Sequence, residues 1–238
     1  MFVEFASLTT LAEAVSPGAA AGFVPVVGIV GGVGSGKSAV VRAVSGVRLW
    51  VIDADKIGHQ QLQDSAVADR LVREFGKQIL EGGVISRVRL AALVFQNSPD
   101  ADRRLQRLNE IVRPGIQAEI HRSLQVVPQD VDAVILDAAL LLEAGWADHC
   151  DALVWIQAPL QQRQRRVVEA RGWTVQQHTE REAAQWDSDR KRAACEFEVD
   201  NSGSLEVAAL QLRGYLRLII SRGPRTDRTA VRDKPAGC

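Results

Sequence analysis

Gly31, Gly36, Lys37 and Ser38 follow the order glycine, four residues, then Gly-Lys-Ser, the spelling of a phosphate-binding P-loop. In that motif the backbone N–H groups form the cradle, here Gly32, Val33, Gly34, Ser35, Gly36, Lys37, Ser38 and Ala39. Lys37 would reach the β- and γ-phosphates of a nucleotide, and the Ser38 hydroxyl would sit on Mg²⁺. Glycines at 32, 34 and 36 are expected to take φ > 0 and to approach phosphate oxygens with no Cβ in the way. Binding alone is not chemistry. Moving a γ-phosphoryl group also requires charge neutralisation, in-line positioning and a handler for the attacking hydroxyl's proton. Asp53 and Asp55 suit that last role, although aspartate is equally a preferred helix N-cap. Asp137 ends an apolar run and could hold Mg²⁺, orient a substrate or cap a turn. Between Leu160 and Arg192 the chain carries Arg163, Arg165, Arg166, Arg171, Arg181, Arg190, Lys191 and Arg192. Guanidinium groups on a mobile helical hairpin can close over phosphates and exclude water, so this stretch reads as a lid.

These groups need elements to hold them. Val26-Val27-Gly28-Ile29-Val30 is a short apolar, β-branched run, as a buried parallel strand requires, and a helix is predicted from Ser38. A second strand is predicted over 48–52, paired with the first as a βαβ unit. Further strands are expected over 131–137, 152–156 and 197–200. Strands alternating with helices make an α/β fold, a parallel sheet of the P-loop NTPase type flanked by helices. Carboxylates after a strand then lie at the edge where such sheets hold ligands. From Gly58 to Gln125 the pattern is helical, with apolar residues from Leu105 to Val112 opposite an arginine-rich face. Ser98-Pro99-Asp100 looks like its cap region, and Pro114 is expected to break it, with Ile116, Ile120 and Leu124 on a new helix. The expected organisation is an extension over 1–24, a kinase over 25–221 and a polar tail over 222–238. Within the kinase, the core takes about 25–58, 130–158 and 195–220, a helical acceptor-binding domain about 59–128, and the lid about 160–192.

Composition excludes several classes. Lysine plus arginine and aspartate plus glutamate both number 29, so no global basic field argues for nucleic acid. Cys150, Cys195 and Cys238 are too widely spaced for a zinc site or a disulfide framework, which points to a reducing, cytoplasmic setting. No apolar run approaches the ~20 residues that span a bilayer. The first 24 residues hold Glu4 and Glu13 and no lysine or arginine, the wrong start for a secretory signal. His59, His121, His149 and His178 share no spacing, and the five tryptophans read as packing groups.

From about Val26 to Leu216 these residues resemble the dephospho-CoA kinase family. Gly31 to Ser38 is similar to that family's P-loop, and Ile52-Asp53-Ala54-Asp55 to its "IDAD" segment, whose second aspartate is the general base. Asp200-Asn201-Ser202-Gly203 is similar to its "DNSG" segment near the adenine end of ATP, and Gln185 and Lys191 fall where its lid carries Gln and Lys. The resemblance implies ATP and Mg²⁺ as cofactors and dephospho-CoA as the small-molecule partner. It implies Asp55, Lys37 and Arg166 as catalytic groups, and Arg165, Arg171 and Asn201 on the nucleotide. Asp53, Asp55, Arg113 and Leu141 would line the acceptor. Two departures stand out: Arg113-Pro114 replaces the family's His-Pro, and Ala139-Leu140-Leu141 replaces its Pro-Leu-Leu. The lid arginines are also displaced, since Arg166 and Arg171 are five apart rather than four, so that Arg165 could take one place. A nucleoside or nucleoside-monophosphate kinase shares the same plan. A guanine-nucleotide switch would need an Asn-Lys-x-Asp segment, and the chain has none.

Overall fold

The structure is a computed structural model that describes residues 23–94 and 99–223. The predicted extension up to residue 22, Ser98 and the tail from 224 lie outside the described residues. The elements run β1 (Val26–Val30), α1 (Lys37–Ala43), β2 (Leu49–Asp53), α2 (Ala54–Gln61), α3 (Ser65–Phe75), β3 (Leu80–Glu81), β4 (Val84–Ile85) and α4 (Arg87–Val94). After them come α5 (Ala101–Gln125), β5 (Ala133–Asp137), β6 (Ala152–Gln157), α6 (Leu160–Arg171), α7 (Val175–Ala183), α8 (Ser188–Ala193), β7 (Phe197–Asp200) and α9 (Leu205–Arg222). The chain forms two compact units, Ile52–Val127 and the described residues on either side of it.

Five strands form one sheet in the order β2-β5-β1-β6-β7. β1 pairs in parallel with β5 and β6, and β6 with β7. β5 therefore lies between β1 and β2, the two strands that the sequence reads as one βαβ unit. Burial explains the order: every residue of β1 and β5 is buried, whereas β2 is only partly covered. Continuous apolar strands take the centre, and the strand that tolerates solvent takes the edge. One sheet face presents Val27 and Ile29, Ala133 and Ile135, Val154 and Ile156 at alternate positions. Against them pack Val40 and Val41 of α1 and Ala208, Leu212, Leu216 and Ile219 of α9. Burying Leu212 and Leu216 completely contributes about 1.5–3 kcal/mol each. On the other face Gly28 is close to Leu153, Cys150 and Leu141, and a Cβ there would lie 2.6–3.0 Å from their side chains.

The edge strand is pinned where it begins. The Arg48 N–H and guanidinium donate to Asp132 at 2.7 Å each, while Asp132 N–H donates to Arg48 C=O at 2.8 Å. The Arg48 guanidinium holds the Asp132 carboxyl below the usual carboxylate range. A depressed folded value means that this stability is fully present above the ordinary aspartate pKa. It is lost as pH falls through the folded value. The difference in Tm between the wild-type chain and Asp132→Asn is therefore expected to be largest at pH 6 and to shrink toward pH 3. A constant difference across calorimetric scans at those pH values would exclude the ion pair as its cause.

Within Ile52–Val127, α5 is one helix of 25 residues with Pro114 inside it. The predicted break at Pro114 does not occur. Proline removes the bond to Glu110 C=O and costs about 3 kcal/mol. Against this, Ile111, Val112, Ile116 and Ile120 are all buried on the two sides of Pro114, and each contributes roughly 1.5–3 kcal/mol. Burial wins, and the helix runs through. A second difference is the β3–β4 hairpin inside the stretch read as wholly helical. Its loop is Gly82-Gly83, both at positive φ, as the tightest hairpin turns demand.

Candidate active site

The loop after β1 turns through Gly34 and Gly36, with φ of 79° and 90°. Gly36 is the N-cap of α1 and its C=O accepts from Ala39 and Val40 N–H at 3.0 Å. Gly32 does not take positive φ, contrary to expectation. Its need for glycine comes from a neighbour: a Cβ there would lie 2.5 Å from Arg163 Nη1. At Gly34 the Cβ would meet Arg163 O at 2.5 Å, and at Gly36 Asn201 Nδ2 at 2.5 Å. The open side chains thus admit α6 and Asn201 as well as leaving the loop backbone bare. Lys37 Nζ donates to Gly31 C=O at 3.3 Å, folding back over the loop. Ser35 Oγ is buried in the loop and makes no hydrogen bond. Ser38 Oγ donates to Asp137 Oδ2 at 2.6 Å, where Asp137 is the last, buried residue of β5.

A hydroxyl and a carboxylate side by side are hard oxygen donors, which fit Mg²⁺. No cluster of three or more His, Cys, Asp or Glu suited to a metal occurs among the described residues. Mg²⁺ is commonly held by one or two protein carboxylates, with waters and substrate phosphates completing its shell. Burial pushes the Cys195 thiol up to about 12, so it is not a nucleophile at neutral pH.

The stretch read as a lid forms α6, α7 and α8. Arg166 of α6 donates to Ser35 C=O at 3.1 Å and to Asn201 C=O at 2.8 Å, and Asn201 Nδ2 donates to Ser35 C=O at 2.7 Å. Arg166 and Asn201 thus converge on one loop carbonyl. Arg165 instead faces solvent beside Glu169, because on a helix it lies about 100° from Arg166 and 200° from Arg163. Arg171 ends α6 and stacks on Trp173, which also carries Arg181 at 3.9 Å from its ring centroid. Lys191 of α8 is 2% exposed and donates to Gln185 Oε1 at 2.6 Å while pairing with Glu143 at 2.9 Å. Glu143 also accepts from Trp186 N–H at 2.8 Å.

Three residues of this stretch lie on the loop: Arg163, which the sequence reading names among its cations, and His178 and Glu182, which it does not select. Arg163 is buried and donates to Val33 C=O at 3.3 Å and to Glu182. Glu182 accepts from Val33 N–H at 3.2 Å, and His178 Nε2 lies 3.0 Å from Val33 C=O. Arg163 and Val167 are buried four apart on α6, a spacing that identifies its inward face.

The remaining expectations sort by environment. Leu141 is 1% exposed and packs at Gly28, so its side chain belongs to the core and is not available to an acceptor. Asp53 is the N-cap of α2, accepting from Lys56 N–H at 2.8 Å. Asp55 lies in the first turn of the same helix, exposed. Arg113 is half-buried on α5 and lines a groove of about 480 Å³ with Gln106, Asn109 and Gln117.

The sequence model of the dephospho-CoA kinase family matches residues 25–206. The chain belongs to the dephospho-CoA kinase family. It is 35% identical over 187 residues to the dephospho-CoA kinase of Rhodopirellula baltica, covering 76% of this chain and 85% of that one. Against the dephospho-CoA kinase of Corynebacterium diphtheriae it is 33% identical, covering 76% and 90%. Among solved structures it is similar to a Thermus thermophilus protein, with 30% identity, a TM-score of 0.68 and coverage of 82% and 97%. The match to the dephospho-CoA kinase family takes in the loop at 31–38, Asp53, Asp55, Asp137, the lid and Asn201. No described helix is long and apolar enough to cross a membrane.

Proposed function

We propose that this chain transfers the γ-phosphoryl group of ATP to the ribose 3′-hydroxyl of dephospho-CoA, giving coenzyme A and ADP. The observation that carries the reading is the P-loop with its Ser38–Asp137 oxygen pair, set in a chain that matches this family over most of its length. Loop amides and Lys37 hold the β- and γ-phosphates and offset the charge that spreads to the bridging oxygen as it leaves. Ser38 and Asp137 would hold Mg²⁺, which neutralises phosphate charge when bound. Arg166 and Asn201 fix the loop at its Ser35 end, next to the adenine side. Asp55 accepts the 3′-hydroxyl proton as the new P–O bond forms and the bond to the ADP oxygen breaks. Arg113, beside its groove on α5, is assigned to the acceptor. The reaction is placed in the cytoplasm, with two small-molecule partners and no nucleic acid.

The test is turnover of the purified chain with ATP and Mg²⁺ against dephospho-CoA, nucleosides and nucleoside monophosphates. We expect kcat/KM for dephospho-CoA to exceed each of the others by at least a hundredfold, about 2.7 kcal/mol of discrimination. A nucleoside or monophosphate turned over as well would transfer the chain to the kinases that share its plan.

A further inference from the structure

We propose that His178, Glu182 and Arg163 are positioning residues that fix the Val33 peptides of the P-loop for phosphoryl transfer. This inference rests on reading the loop as the ATP site. Val33 is gripped from both sides: its N–H donates to Glu182 Oε2 at 3.2 Å, and its C=O accepts from His178 and Arg163 at 3.0 and 3.3 Å. Two successive peptide planes, 32–33 and 33–34, are thereby set by side chains of α6 and α7. The second plane leads directly into Gly34, where φ becomes positive and the phosphate-binding turn begins.

The composition of the clasp argues against simple packing. His178 is wholly buried, yet its Nδ1 makes no hydrogen bond. Val33 C=O can only accept, so Nε2 must carry the proton. A buried, half-satisfied imidazole destabilises relative to an apolar side chain of similar size. Packing alone would favour leucine there. What leucine lacks is the donor to Val33. Glu182 is also more than a surface acid, because its Oε2 takes the Val33 N–H, the Arg163 guanidinium and lies 3.4 Å from His178 Nε2. The Arg163 cation neutralises this carboxylate, so it can hold a loop amide without setting an uncompensated negative charge beside the ATP phosphates.

The experiment combines a donor-deleting and a donor-keeping variant. His178→Leu keeps an apolar side chain in the buried position and removes the donor; His178→Gln can place an amide N–H near the former Nε2. Glu182→Ala, at a partly exposed position, removes the acceptor for Val33 N–H. Each is assayed for kcat and KM with ATP and dephospho-CoA, for Tm, and for amide exchange of the peptide covering 31–36 by mass spectrometry. For His178→Leu and Glu182→Ala we expect kcat at least tenfold lower and faster exchange in that peptide. His178→Leu should keep its Tm, and His178→Gln should recover kcat to within about threefold of wild type. His178→Leu with wild-type kcat, or a loss that merely tracks the folded fraction, would overturn the proposal. Should His178→Leu not fold, wild-type kcat or unchanged exchange in Glu182→Ala would do the same. Exchange reads the clasp whatever the acceptor, and wild-type turnover reads the acceptor, so the two assignments fail separately.

Discussion

Replacing Asp55 by asparagine is expected to leave ATP affinity within about threefold, under ~0.7 kcal/mol, while lowering kcat by ~10²–10⁴. Asparagine keeps the size and most of the hydrogen-bonding geometry but cannot accept a proton. A carboxylate is a far weaker base than the alkoxide it would generate, so its contribution lies in orienting that hydroxyl and taking the proton late. The neighbouring carboxylate supplies the control. Asp53 caps α2 through Lys56 N–H, and asparagine caps a helix as well as aspartate does. Asp53→Asn should therefore stay close to wild type in both kcat and Tm. Calorimetry for ATP and initial rates at saturating dephospho-CoA measure both variants. A dead Asp53→Asn beside an active Asp55→Asn would exchange the two roles.

Lys37→Ala is expected to lower kcat at least tenfold, about 1.4 kcal/mol of barrier, with a smaller rise in KM for ATP. The lysine charge is needed most when negative charge moves onto the bridging oxygen, so its loss falls more heavily on the transition state than on the bound substrate. In the structure its ammonium group donates to a loop carbonyl, Gly31 C=O, at 3.3 Å, a contact at the long end for a hydrogen bond, so Tm should change less than kcat. Normal turnover by Lys37→Ala would remove the loop from the chemistry altogether.

How much was legible beforehand differs by element. Val26–Val30 and residues 133–136 could be read because burial on both faces leaves nothing but apolar residues and glycine in the run. Their neighbour relation could not, since β5 enters between β1 and β2 by long-range competition for the sheet centre. Pro114 misled because its local cost is visible in the sequence while the burial that offsets it is tertiary. The hairpin at Gly82-Gly83 had a signal, two glycines between short β-prone pairs, that the surrounding helical pattern masked. Lys191 of α8 and Asn201 just after β7 were reached through family resemblance. His178 was not reached by any route: α7 offers so few apolar residues that no hydrophobic period marks which side turns inward.

The glycines of the loop answer to two masters, the phosphate and the protein around it. Their Cβ positions at 32, 34 and 36 are already claimed by Arg163 and Asn201. For a lineage drifting by single substitutions, this couples residues more than a hundred positions apart. A side chain at position 32 could enter only if the buried Arg163 guanidinium moved off Val33 and Glu182. Loop and α6 would therefore have to diverge together, and a chimera that sets a loop with a side chain at position 32 against this α6 should lose the Arg163 contacts to Val33 and Glu182.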